Sequence, residues 1–193
     1  MEKIFLTFAL LIYSISNITA QTTIVEVGSG VTVMDAPSGT YIKDINNTFT
    51  PFLGTWKYEN GNEILIVKLE KVTQYYYPEY GNYKDFIKGN YSYTQDGGVT
   101  YITNTIDTNL LINNPNINSF YTPGPSTSNP TVLDMSYKDD LYQKSCDALF
   151  TFLSGSTTQM TMKLKNRSRG YILPETPPNP NFSIPNNVVL TKQ

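Results

Sequence analysis

Any chemistry in this chain is done without histidine, because the 193-residue sequence contains none. That removes Ser-His-Asp and Cys-His nucleophilic catalysis, the commonest general base near neutral pH, and most zinc sites. Cys146 is the only cysteine, so no intrachain disulfide can form. It is followed at intervals of two by Ala148, Phe150 and Phe152. On a strand these four share one apolar face, which predicts a buried and unreactive thiol. Asp96 and the pair Asp139-Asp140 lack the further spaced oxygen ligands of a calcium loop. The glycines sit in turns rather than before helices, without the partners of a nucleotide-binding or Ser-x-x-Lys motif. The 16 acidic residues leave two-carboxylate glycoside hydrolysis open, yet no spacing singles out a pair. The expectation is a protein that is not an enzyme and has no catalytic residue, no metal and no cofactor.

The residue type present in quantity is tyrosine, 15 in all, with Tyr75, Tyr76, Tyr77, Tyr80 and Tyr83 clustered around Pro78 and Gly81. Flat rings with a polar tip can hold sugars or protein surfaces. The plainer expectation is a strand end and loop whose tyrosines cover the edge of a barrel.

The elements that would position such residues are strands. Gly54, Trp56 and Tyr58 alternate with Thr55, Lys57 and Glu59, so one face is core and the other is wet. Asn60-Gly61 is read as a type I′ hairpin turn, and Glu63 to Val72 as a central return strand. Ile87, Gly89, Tyr91 and Tyr93 give a half-buried strand, followed by a turn at Asp96-Gly97-Gly98 and a strand from Val99 to Ile106. Leu133, Met135 and Tyr137 face inward against Asp134, Ser136 and Lys138. Cys146 to Leu153 and Thr158 to Asn166 form a hairpin, with Met160, Met162 and Leu164 opposite Thr161, Lys163 and Lys165. Val188 to Leu190 is a candidate closing strand. Upstream, Gln21 to Val27 and Val31 to Met34 are read as a leading hairpin. Residues 107–130 form a long irregular loop, and 173–187 are too rich in proline for regular pairing.

Phe52-Leu53-Gly54-Thr55-Trp56 resembles the Gly-x-Trp entry of lipocalin-like barrels. In that family the tryptophan closes one barrel end and a basic residue of the last strand packs across it. The resemblance thus implies barrel-closing roles for Gly54, Trp56 and Arg167, with Lys165 as the alternative base. The whole layout, from the N-terminal apolar segment through FLGTW to the terminal VVLTKQ, is similar to an uncharacterised family of small secreted Bacteroidota (flavobacterial) proteins, a domain of unknown function. That second resemblance implies no activity.

Lys3 and the apolar run Ile4 to Ile12 read as a signal peptide over residues 1–20, with cleavage between Ala20 and Gln21. The run is too short to span a bilayer, and no transmembrane segment is expected elsewhere. No cysteine follows the cleavage point, so the expectation is a released protein, secreted or periplasmic. The balance of 14 basic against 16 acidic residues provides no field for nucleic acid. Nothing in the pattern fixes an oligomeric state.

Together these features predict an all-β domain over 21–193, an antiparallel meander closing as a lipocalin-like β-barrel, or else a two-sheet β-sandwich. Its predicted role is non-catalytic binding of a small apolar or amphipathic ligand inside the barrel, against Trp56, Tyr58, Tyr91 and Tyr93. The alternative is an envelope or extracellular module that contacts a partner protein and holds no internal ligand.

Overall fold

A computed structural model describes residues 22–106, 119–122, 129–167 and 179–193. The signal-peptide region and most of the 107–130 loop lie outside them. The described strands are β1 (Ile24–Glu26), β2 (Tyr41–Lys43), β3 (Gly54–Asn60), β4 (Glu63–Tyr77), β5 (Asn82–Thr94), β6 (Tyr101–Asn104), β7 (Phe120–Thr122), β8 (Val132–Asp139), β9 (Lys144–Phe152), β10 (Gln159–Asn166) and β11 (Val188–Lys192).

Eight of them, β3, β4, β5, β7, β8, β9, β10 and β11, follow one another antiparallel around a closed barrel. Closure is made where β11 meets β3, with Thr191 opposite Lys57 and Lys192 opposite Trp56. The second seam joins β5 to β7, with Gly89 opposite Phe120. The fold is therefore the lipocalin-like barrel and not the sandwich.

Strand β5 is longer than the barrel needs, and its two ends carry the extras. Its start pairs in parallel with β2, which pairs in parallel with β1, and its finish pairs with β6. The predicted leading hairpin is thus replaced by a parallel pair. Residues 31–34 do not extend because the Thr32 hydroxyl accepts the N–H groups of Met34 and Asp35 and donates to the Asp35 carboxylate at 2.6 Å. Such local side-chain bonds offer the backbone a turn in place of a ladder. The β3–β4 turn also falls one residue later than predicted. Asn60 pairs with Glu63, and of the two connecting residues only Gly61 has positive φ, +59°, which fits a II′ turn.

The barrel axis is filled. Leu65, Val67, Leu69, Ile87, Tyr91, Leu133, Met135, Tyr137, Phe150, Met160, Met162 and Leu190 are all buried. Phe120 stacks on Tyr137 with ring centroids 4.9 Å apart and meets Tyr91 and Phe150 edge-on. Gly89 admits this stack: a Cβ there would lie 2.7 Å from Leu69 Cδ2 and 2.9 Å from Phe120 Cβ. Gly89→Ala is accordingly expected to destabilise the fold by about 1–3 kcal/mol through overpacking, read as a lower urea midpoint. An unchanged midpoint would mean a loose interior at that level.

Both barrel ends are covered. At the β3 entry, the 3₁₀ turn Thr50–Phe52 lays Phe52 over the interior, 4.8 Å from the Phe152 ring. At the other end, the proline-rich C-terminal segment inserts Ile184, 4% exposed, and Ser183. Lys144 Nζ clasps that segment, donating to the Asn179 carbonyl at 2.7 Å and the Asn181 carbonyl at 2.5 Å. Asn166 Nδ2 donates to the Pro180 carbonyl, and Asn186 bonds both backbone groups of Leu164. Prolines forbid a strand here, and the asparagine amides take over the hydrogen bonding that a strand would supply.

The outer face carries Lys57, Lys68, Glu70, Asp134, Lys163 and Lys165. Apolar inside and charged outside is the reverse of a membrane-spanning barrel. Among the described residues no helix is long and apolar enough to cross a membrane.

Candidate binding surface

The residues expected to line an internal ligand site do come together. Trp56 and Tyr58 on β3 and Tyr91 and Tyr93 on β5 face the same interior, because Val67 and Leu65 of β4 stand between them in register. Three of the four are packed without open surface beside them, while Tyr58 is half-buried. Trp56 and Tyr91 are wholly buried and Tyr93 is 4% exposed with no ligand present. An empty cavity of ligand size would leave exposed surface on its lining.

The polar tips of these rings are occupied within the protein. The Tyr58 hydroxyl donates to Glu63 Oε2 at 3.3 Å and the Tyr93 hydroxyl to Glu63 Oε1. Burial, and next the Glu63 carboxylate, push the Tyr93 hydroxyl up to about 12. Tyr137 donates to the Tyr91 hydroxyl at 3.2 Å and lies within 3.2 Å of Ser183 Oγ. These tyrosines act as core with satisfied hydroxyls.

The barrel-closing set is corrected at one position. Gly54, at φ +121°, passes close to Lys192, and the Trp56 indole donates to the Phe52 carbonyl at 2.7 Å. The cation over the Trp56 ring is Lys192, 5.2 Å from its centroid, which also donates to the Pro51 carbonyl. Neither Lys165 nor Arg167 has this role. Strand β11 lies between β10 and β3, and β10 ends at the opposite end of the barrel. The alternation Val188, Leu190, Lys192 was the available signal, since it puts Lys192 on the face that Leu190 buries.

Most of the tyrosine cluster is used in packing. Tyr75 meets Tyr77 and Phe86 edge-on, Phe86 meets Tyr121, and the Tyr77 and Tyr121 hydroxyls are 3.1 Å apart. Tyr76 and Tyr80 stay 47% and 41% exposed. Nearby, two acids are buried against one base. Asp85 accepts Tyr41 O–H at 2.6 Å and the N–H groups of Gln74 and Asp44, while Lys71 reaches Asp44 at 2.9 Å and Asp85 at 3.4 Å. Their oxygens are committed to donors, and the group pins β2 to the bulge between Val72 and Tyr75. Cys146 is fully buried, and burial pushes its thiol up, away from the nucleophilic thiolate. Among the described residues no group of three or more acidic or cysteine side chains is placed to hold a metal.

A concave site lies on the outside instead. Asp134, Asp147, Leu149, Lys163 and Lys165 line a groove of about 270 Å³ across β8, β9 and β10. Register creates it: Asp134 and Lys163 both stand opposite Leu149, one on each side. In the next outward row Ser136 and Lys165 flank Asp147. Arg167 caps that row, donating from Nε to Asp147 Oδ1 at 2.5 Å and from Nη2 to Ser136 Oγ at 2.6 Å. Burial and then the Asp147 charge push the Asp134 carboxyl above its ordinary range, with Arg167 only partly offsetting them. Each of these positions reads as outward in the sequence. Their meeting depends on pairing between separate strands, which no local pattern encodes.

The chain belongs to a family of unknown function, DUF6705, matched over residues 1–193. No curated protein and no solved structure matches it. A closed barrel within this family is a fold compatible with ligand binding.

Proposed function

We propose that this family member is an exported, non-catalytic binding module that meets its ligand or partner through the outside of the barrel. The filled interior carries this reading. A carrier of the lipocalin kind needs vacant space along its axis, and here Trp56, Tyr91 and Tyr137 occupy it with at most 1% exposure. The charged outer groove is a concave surface among the described residues that could serve recognition. Export rests on Lys3, the apolar run Ile4 to Ile12, and the small residue Ala20 before Gln21. The non-catalytic part rests on the lack of histidine and on the commitment of Asp44 and Asp85 to their donors.

Native mass spectrometry of the protein from its own host tests this. The expected result is a bare polypeptide beginning at Gln21, with a Trp56 emission that apolar probes do not change. A stoichiometric small-molecule adduct that quenches Trp56 on rebinding would overturn it and restore the internal site at Trp56, Tyr58, Tyr91 and Tyr93.

A further inference from the structure

The groove on β8, β9 and β10 has a charge arrangement that specifies a ligand class. Strands in a sheet are about 4.8 Å apart, so side chains two strands apart start roughly 10 Å from each other. Asp134 and Lys163 are in that relation, with the 38%-exposed Leu149 between them. Neither Asp134, Lys163 nor Lys165 makes a hydrogen bond or ion pair among the described residues. The second acid, Asp147, is already taken by Arg167. One end of the groove therefore has a carboxylate with no direct ion pair, the other has two ammonium groups with none, and the apolar Leu149 lies between Asp134 and Lys163.

Resting on the proposed outside-binding role, we infer that this groove binds a small zwitterion with an apolar middle, its ammonium at Asp134 and its carboxylate at Lys163 and Lys165. A methylene chain would lie on Leu149, removing its exposed surface from water. The volume of about 270 Å³ suits a molecule of amino-acid to dipeptide size. A simple anion would leave Asp134 unpaired, and a simple amine would leave both lysines unpaired. A dipolar molecule satisfies both ends at once, and its two charge-assisted contacts reinforce each other.

The test is an NMR titration of the mature protein with 6-aminohexanoate, alongside hexanoate and hexylammonium of matching length. Saturable shifts at Asp134, Leu149 and Lys163 are expected, with each single-charge probe binding about tenfold more weakly. Asp134→Asn and Lys163→Gln should each weaken 6-aminohexanoate about tenfold without lowering the melting temperature, because both residues stand on the outer face and loss of the Asp134 charge relieves its repulsion with Asp147. Equal binding of hexanoate would reduce the site to a lysine anion patch and overturn the inference. So would the absence of saturable shifts, or self-association of the free protein that Asp134→Asn abolishes, since a second copy would then occupy the groove. A negative titration with a bare native mass rejects the zwitterion alone. An internal adduct rejects the outside-binding role on which the zwitterion rests.

Discussion

Asp85→Ala is expected to lower the stability of the fold by about 3–5 kcal/mol, the usual cost of removing one partner from a buried charge network. Asp85 is 1% exposed and its two oxygens accept from Tyr41, Gln74, Asp44 and Lys71. Without it, Lys71 keeps Asp44 as its remaining carboxylate, and the Tyr41 hydroxyl and the Gln74 N–H lose their acceptor. Asp85→Asn should recover part of the loss, because the amide oxygen still accepts while the charge facing Lys71 is gone. Burial raises the Asp85 carboxyl, but the hydrogen bonds from Tyr41, Gln74 and Asp44 and the Lys71 charge outweigh it, so its folded value lies below 3.8. A depressed carboxyl stabilises the native state fully above its unfolded value and loses that contribution as pH falls through the folded one. Urea denaturation of the wild type and Asp85→Asn should thus give a constant gap from neutral pH down to about 4, and a narrowing gap below that. A gap that stays constant on acidification would remove the ionised form of Asp85 from the account. Limited proteolysis gives a second readout: cleavage in residues 22–43 should speed up first, because the network holds β2 against the barrel.

Trp56→Ala is expected to cost about 3–5 kcal/mol, the range for truncating a large buried aromatic. The indole lies 6.0 Å from the Phe152 ring and beneath the Lys192 ammonium, and it donates to the Phe52 carbonyl. Trp56→Phe separates these contributions. It keeps a ring in place but leaves the Phe52 carbonyl without its donor, and about 1–3 kcal/mol is expected for that unmet acceptor. Lys192→Met, which keeps the packing of the stem and removes the cation, should cost about 0.5–2 kcal/mol. Far-UV circular dichroism is the readout, because Trp56 is the only tryptophan and its fluorescence vanishes with it. A Trp56→Ala loss below about 1 kcal/mol would mean that the 3₁₀ turn closes this end without the indole.

The two variants probe different kinds of information. The surroundings of Trp56 are partly local: Gly54, Trp56 and Tyr58 alternate, and Phe52 is four residues away. Those of Asp85 join positions 41 and 44 residues apart through the parallel addition of β2. Parallel pairing of β1 with β2 leaves no turn signature between adjacent residues, and so the sequence suggests a hairpin where none forms. The same limit explains Lys192. An incomplete motif at residues 165 and 167 is nearer in kind to the expected base, yet the strand beside Trp56 is the one that closes the barrel.

By itself the sequence determined which face β8, β9 and β10 bury, but not that β5, read as half-buried, buries Lys88, Asn90, Ser92 and Thr94 as well. Met160, Met162 and Leu164, or Cys146, Ala148 and Phe150, point inward because the pleat places alternate residues on opposite sides whatever the neighbour. Composition likewise removed histidine chemistry and disulfides before any fold was known. Only the tertiary structure decided which strands are neighbours, and with that the filled axis, the Lys192 cation over Trp56, and the opposition of Asp134 and Lys163 across Leu149. Burial alternation is a local property of the extended chain. Adjacency and register are set by how eight strands together fill and close one barrel, where a slip of a single residue would turn Asp134 or Lys163 into the core.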